Sequence, residues 1–145
     1  MIPILCLDDN NGLLFNKRRQ SQDRVLTKRI LSLSQKSRLW CDAYSWKLLD
    51  ETANEGGFPE LLSHVTESPD CARKAGDGEY IFAEQFTDYA SLLSRMEGLI
   101  LFRWNRVYPR DAVFDASLLS HFSLKSTQEF AGHSHDKITM EVYGR

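Results

Sequence analysis

The stretch that decides the fold is AGDGEYIFAEQFTDYASLLSRMEGLILFRW, residues 75–104. It holds two apolar runs, at 80–83 and 99–104, separated by a segment of helical character at 86–96. The second run is the most apolar in the chain. Continuous apolar runs of this length are typical of strands that are buried on both faces of a parallel sheet. The stretch therefore predicts a strand–helix–strand unit at the centre of such a sheet.

The same alternation continues on both sides of this stretch. Residues 2–7 form an apolar run that stops at a turn-rich segment, as a buried strand does. Residues 60–65 fit either a strand or a helical turn, and residues 114–122 are expected to be a loop. Further predicted elements are a helix at 21–34 with Ser21 as its N-cap, a strand at 38–41, helices at 43–53 and 68–76, and two antiparallel strands at 122–130 and 137–145.

Together these elements predict an α/β fold of three layers. A mostly parallel mixed sheet should carry helices on both faces and end in a C-terminal antiparallel hairpin at one edge. A chain of 145 residues is expected to form a single domain, 1–145. Ligands of such sheets bind beyond the carboxyl ends of the strands. We therefore expect a site near the turns that follow Leu7, Cys41, Ala83 and Trp104.

Charge and composition exclude several classes of partner. The net charge of −2 gives no electrostatic basis for binding nucleic acid, and the basic run at 17–19 is expected to be a solvated loop. No apolar run approaches the roughly 20 residues that cross a bilayer, and the first residues do not have the pattern of a signal peptide. Three cysteines without CxxC spacing indicate free thiols. We therefore expect a cytoplasmic protein with neither a membrane nor a nucleic-acid partner.

The order of the elements and several short motifs resemble dihydrofolate reductase. The segment ILCLDDNNGLL (4–14) resembles the first strand and turn of that family, and DAYSW (42–46) resembles its Gly-Arg-x-Thr-Trp segment. Residues 75–104 align without a gap to the stretch that carries the Gly-Gly turn, the tyrosine-bearing helix and the next strand. YPRDAVFD (108–115) and EFAGHSHDKITMEVYGR (129–145) resemble the closing loop and hairpin. The resemblance implies an NADPH-dependent pterin or folate reductase.

This resemblance also implies roles for individual residues. Asp23 matches the catalytic carboxylate, which would bind the amino-pyrimidine edge of a pterin and help to protonate the ring. The alternative is that Asp23 only favours the start of a helix. The residues implied in cofactor binding are Ser45, Ser63, Glu84, Gln85 and Tyr89, and those implied in binding the pterin or nucleotide-like substrate are Leu5, Leu7 and Phe102.

The sequence departs from the family pattern at the positions that would bind the cofactor and the substrate. Glu84-Gln85 replaces the Gly-Gly pair, and Glu84 adds negative charge where a pyrophosphate would lie. Asp42 replaces the first glycine of its segment, and residues 47–72 contain no arginine to grip a folate tail. Two functional hypotheses remain open: a divergent reductase, or a non-catalytic or re-purposed binding module on the same fold. The departures favour the second.

The motif GHSHD at 132–136 raises a third hypothesis. Its two histidines one residue apart, followed by an aspartate, resemble the metallo-β-lactamase superfamily, including ribonuclease Z-like hydrolases. A two-metal hydrolase needs several more ligands, and only His64 and His121 remain, while Lys137 stands where another histidine usually follows. Gly132, Ser134 and Asp136 favour turns. We therefore expect no metal site, and a turn before the last strand.

Overall fold

The computed structural model describes all 145 residues. Its strands are β1 (Ile2–Leu7), β2 (Gly12–Phe15), β3 (Arg18–Arg19), β4 (Leu39–Cys41), β5 (Val65–Glu67), β6 (Tyr80–Phe82), β7 (Gly98–Arg103), β8 (Ala112–Val113), β9 (Ser123–Phe130) and β10 (Ile138–Gly144). Its helices are α1 (Arg24–Leu33), α2 (Ala43–Gly56) and α3 (Cys71–Lys74), with 3₁₀ helices at Pro59–Leu62, Tyr89–Arg95 and Ala116–His121. None of the helices combines the length and the apolar character that a membrane span needs.

Seven strands form one mixed sheet in the order β5-β4-β6-β1-β7-β10-β9. The first five of these are parallel to one another, whereas β10 is antiparallel to both β7 and β9. The hairpin of β9 and β10 thus closes one edge. This confirms the predicted α/β fold with a mostly parallel sheet and a C-terminal antiparallel hairpin.

Both faces of the sheet are covered, which explains the unbroken apolar run of β7. Leu99 and Leu101 point to a core that includes Tyr89 and Leu118 from two of the 3₁₀ helices. Ile100 and Phe102 point to the opposite core, which α1 and α2 cover. A strand with helices on both sides needs apolar side chains at every position.

Several local predictions differ from the structure. The N-cap of α1 is Asp23 and not Ser21, because the Asp23 carboxylate accepts a hydrogen bond of 2.9 Å from Val25 N–H. The segment predicted as a helix at 86–96 is a 3₁₀ helix. Helix α2 continues past Ala53 to Gly56 and ends at Gly57, whose φ of +81° suits glycine at a helix C-terminus.

A second, three-stranded antiparallel sheet of β3, β2 and β8 lies outside the predictions. Its β2–β3 hairpin turns at Asn16 and Lys17, which both have positive φ (53° and 61°). Such turns usually contain glycine, so a turn without one gives only a weak sequence signal. The small sheet carries Arg19, from the basic run that was expected to be solvated, to a half-buried position against Glu84.

The start of β7 tolerates no side chain. A Cβ atom at Gly98 would collide with the backbone carbonyl oxygen of Tyr143 in the adjacent strand β10. Gly98→Ala should therefore lower the free energy of unfolding by about 1–3 kcal/mol in urea denaturation, as overpacking does. Gly76→Ala is the control, because its Cβ would come no closer than 3.4 Å to the Glu79 side chain, and its effect should stay within about 0.5 kcal/mol. Equal losses would contradict this account.

Candidate functional site

The predicted site region is the edge of the sheet where β1, β4, β6 and β7 end. Asp8, directly after β1, is fully buried and accepts hydrogen bonds from the N–H groups of Asn10, Gly12 and Tyr108 and from Gln20 Nε2. Burial raises the pKa of Asp8, but the hydrogen bonds from Tyr108, Gly12 and Asn10 lower it more, so the pKa lies below its usual value. Asp8 thus fixes the turn after β1 and the positions of Gln20 and Tyr108.

An ion pair closes the inner part of this edge. Arg19 Nε and Nη2 donate to the two carboxylate oxygens of Glu84 at 2.9 and 2.8 Å, in a bidentate arrangement. The side chains are only 19% and 10% exposed. The Arg19 guanidinium lies 4.3 Å from the centre of the Tyr44 ring, and the Ser45 hydroxyl donates to Glu84 Oε1 at 3.0 Å.

Several backbone donors between the start of α2 and the end of β6 are already engaged within the protein. Asp42 Oδ1 accepts from Ser45 N–H at 2.7 Å, and Asp42 Oδ2 accepts from Gln85 N–H at 3.2 Å. The N–H of Glu84 donates to Ser45 Oγ at 3.0 Å. A pyrophosphate at this place would meet the carboxylates of Asp42 and Glu84, so the residues present do not fit that group of a dinucleotide cofactor.

Behind the ion pair only a small cavity remains. Its volume is about 20 Å³, and Leu5, Ser21, Glu84, Tyr89 and Trp104 are among the residues that line it. A cavity of this size holds about one water molecule and no aromatic ring. We call it the inner cavity.

Asp23 is buried, and each of its two carboxylate oxygens accepts at least two hydrogen bonds. Oδ1 accepts from Val25 N–H and His133 N–H, both at 2.9 Å. Oδ2 accepts from Ser134 N–H at 2.8 Å and Ser134 Oγ–H at 3.2 Å, and contacts His135 Nδ1 at 3.0 Å. Burial raises the pKa of Asp23, but the bonds from His133, His135 and Ser134 lower it more, and the pKa lies well below its usual range. The group is ionised at neutral pH.

The loop between β9 and β10 turns the chain, as predicted, and also anchors it. His133 is exposed and contacts Arg24 Nη2 through its Nδ1 at 3.0 Å. His135 is 4% exposed, and its ring packs against Trp104 with 4.6 Å between ring centres. No group of three or more His, Cys, Asp and Glu side chains is arranged to hold a metal ion.

A much larger cleft of about 790 Å³ opens between α1 and α2. Its apolar lining includes Val25, Leu48 and Phe58, and its charged lining includes Arg24, Lys28, Lys47, Glu51 and Glu55. None of these five charged side chains forms an ion pair within the protein. The Lys28 ammonium lies 4.8 Å from the centre of the Phe58 ring. The cleft therefore offers apolar surface beside charged side chains that have no ion-pair partner.

Comparison with solved structures relates this architecture to a known protein. Dihydrofolate reductase from Enterococcus faecalis, solved in complex with NADP(H) and RAB-propyl, superposes with a TM-score of 0.66 over 99% of this chain and 95% of its own. The fold is that of dihydrofolate reductase. The two sequences are only 12% identical, so the likeness concerns the fold alone. No model of a protein family matches the sequence, and no curated protein matches it either.

Within the dihydrofolate reductase fold, the residues predicted for the site fall into three groups. Ser45, Glu84, Gln85 and Tyr89 meet at the edge described above, and Leu5 lines the inner cavity. Asp23 is saturated with donors. The remaining three, Leu7, Phe102 and Ser63, line neither the inner cavity nor the cleft, since Leu7 and Phe102 are buried in the core and Ser63 is exposed beyond the 3₁₀ helix at Pro59–Leu62. Their predicted roles stay predictions.

The sequence did not indicate the parts that Arg19, Tyr44 and His135 have at this edge. The basic run at 17–19 predicted side chains exposed to solvent. Only the acidic residue Glu84, as an ion-pair partner for Arg19, could have indicated that Arg19 is partly buried. The spacing of His133 and His135 suggested either a metal or a turn, and neither explanation includes a buried contact with Asp23.

Asp23→Asn tests the anchoring contact. It places an amide among donors and replaces the ionic hydrogen bonds that the buried carboxylate accepts, so the free energy of unfolding at pH 7 should fall by about 1.5–3 kcal/mol. Asp136→Asn, an exposed change in the same loop, is the control and should stay within about 0.5 kcal/mol. Chemical denaturation of both variants and the wild type gives the comparison. A loss of less than 1 kcal/mol for Asp23→Asn would contradict the assignment.

Acid should reduce this difference. The pKa of Asp23 is lower in the folded protein than in the unfolded chain, so its contribution is fully present above the unfolded pKa of about 3.9 and is lost as pH falls toward the folded value. At pH 3 the gap between wild type and Asp23→Asn should shrink by about 1 kcal/mol. Denaturation curves at pH 7 and pH 3 measure it, and a gap that widens in acid would refute the direction.

Proposed function

We propose that this protein is a binding module with a dihydrofolate reductase fold, which holds a small ligand in the cleft between α1 and α2. The observation that carries the proposal is the distribution of space. The cleft between α1 and α2, which we call the outer cleft, measures about 790 Å³, while the inner cavity measures about 20 Å³. A reductase must bring a nicotinamide ring and its substrate into contact, and the inner cavity has room for neither.

The lining of the cleft suggests the class of ligand. Lys28 and Arg24 project from α1, and Phe58 and Leu48 supply apolar surface between the helices. An aromatic ring would cover that surface, and a carboxylate would pair with an ammonium or guanidinium that now has no ion-pair partner. Aryl carboxylates combine both features. We further propose that residues 1–145 form a single domain and that the protein is cytoplasmic. The three free cysteines support the cytoplasmic location.

The second candidate function is an NADPH-dependent pterin or folate reductase. It is favoured by the fold and by the neighbour from Enterococcus faecalis, which was solved with NADP(H). In this chain it would require Arg19 to leave Glu84 and Asp42 to release Gln85 N–H. These costs make it the weaker candidate.

Binding of p-aminobenzoate, an aryl carboxylate, tests the first proposal by titration calorimetry. We expect saturable binding to the wild type that weakens about tenfold or more in Lys28→Met, because an ionic hydrogen bond contributes about 1.5–3 kcal/mol. Lys36→Met is the control, since Lys36 is exposed and lies outside the cleft. Absence of binding, or equal weakening in both variants, would count against the cleft.

Titration with NADPH separates the two candidates. Fluorescence of Trp40, Trp46 and Trp104 should show no saturable change up to about 1 mM cofactor, a concentration that corresponds to a binding free energy of about −4 kcal/mol. We expect no binding because the negative charges of Glu84 and Asp42 would repel the pyrophosphate of the cofactor. Saturation at micromolar NADPH would overturn the binding-module proposal in favour of the reductase.

A further inference from the structure

Three side chains at the junction of α1 and the last hairpin form a continuous hydrogen-bonded chain. Ser21 Oγ lies 2.9 Å from His135 Nε2, and His135 Nδ1 lies 3.0 Å from Asp23 Oδ2. The Asp23 and His135 side chains are 0% and 3% exposed, whereas Ser21 is partly exposed. A hydroxyl, an imidazole and a buried carboxylate in this order are the nucleophile, base and orienting group of acyl-transfer sites.

The tautomer of a neutral His135 ring follows from its partners. The Asp23 carboxylate is ionised and can only accept, so the proton of a neutral His135 ring lies on Nδ1. Nε2 then presents its lone pair to the hydroxyl of Ser21, and the Tyr108 hydroxyl also lies within 3.1 Å of it. Packing on Trp104 holds the ring in this orientation. His135 is therefore set up to accept a proton from Ser21.

A small electrophile can reach Ser21 from its exposed side. Ser21 lines the inner cavity, and its side chain is partly exposed. The inner cavity itself holds about one water molecule, so an ester must approach the hydroxyl from solvent. The backbone N–H groups of Ser21 and Gln22 donate to no protein acceptor and are available to a developing oxyanion.

An unpaired acceptor lies in the same cavity. Gln20 lines the inner cavity, and its side-chain oxygen Oε1 is buried without a hydrogen-bond partner. Buried acceptors of this kind usually bind water. A water molecule held there would lie in the cavity that Ser21 also lines.

We propose that Ser21 is a nucleophile that cleaves esters of short carboxylic acids, with His135 as general base and Asp23 as its positioning residue. Ser21 Oγ bonds to the ester carbonyl carbon while His135 Nε2 takes the hydroxyl proton. The bond to the alcohol oxygen then breaks, and that oxygen takes the proton from His135. Water adds to the acyl-Ser21 ester, its proton passes to His135, and Ser21 leaves with that proton as the carboxylic acid is released.

This proposal goes beyond the binding module and does not depend on it. The cleft proposal is tested by an aryl carboxylate that has no ester, and this one by a reagent that reacts with an activated hydroxyl. Failure of either experiment therefore leaves the other to be judged by its own result.

Labelling with a short-chain alkyl fluorophosphonate tests the nucleophile. Ser21 Oγ should attack phosphorus with loss of fluoride, so mass spectrometry should find one adduct per chain, on the peptide that contains Ser21. Ser21→Ala should abolish this adduct, and Ser126→Ala, which removes an exposed hydroxyl on the edge strand β9, should label like the wild type. No adduct on Ser21 in the wild type, or an undiminished adduct in Ser21→Ala, overturns the proposal.

A second measurement covers the base. His135→Gln should slow labelling of Ser21 by about a hundredfold or more, the usual contribution of a general base. Wild-type protein mixed with p-nitrophenyl acetate should release about one equivalent of p-nitrophenol in a burst and carry an acetyl group on Ser21. Release of p-nitrophenol with acetyl groups only on lysines would refute the proposal, whether or not the His135 variant folds.

Discussion

The buried carboxylate of Asp23 is the contact on which the candidate site depends. It caps α1 and also binds three consecutive residues of a loop more than a hundred positions later, from His133 to His135. The close approach needs Gly132, because a Cβ atom there would collide with the carboxylate. The contact joins the first helix to the last hairpin, and it fixes which nitrogen of His135 faces Ser21.

The Arg19–Glu84 pair sets the second constraint, because it closes the edge where ligands of this fold are expected. Each ionic hydrogen bond of this half-buried pair contributes about 1.5–3 kcal/mol. If a cofactor had to separate the pair, its dissociation constant would rise by roughly tenfold to a hundredfold for each bond that is lost. A ligand that stays in the outer cleft does not separate the pair, which is why the geometry favours binding there.

The sequence predicted the sheet well because its central strands are buried on both faces. Runs such as 99–104 can only be strands of this kind or core helices, and their length decides between them. It predicted the small sheet poorly, since Asn16 and Lys17 make the turn without glycine. Ser21 and Asp23 are both good N-cap residues two positions apart, and only the contacts of the folded chain select Asp23. The burial of Arg19 and His135 depends on partners distant in sequence, which no local pattern records.

The reductase and the acyl-transfer proposal make opposite demands on Asp23. A carboxylate that protonates a bound pterin must turn at least one oxygen toward the ligand and carry a proton at working pH. In this chain both oxygens accept from donors of the protein, and the low pKa keeps the group ionised. A carboxylate that only orients an imidazole must be buried, ionised and held in one position. Asp23 meets the second set of requirements, so its chemistry fits a positioning role.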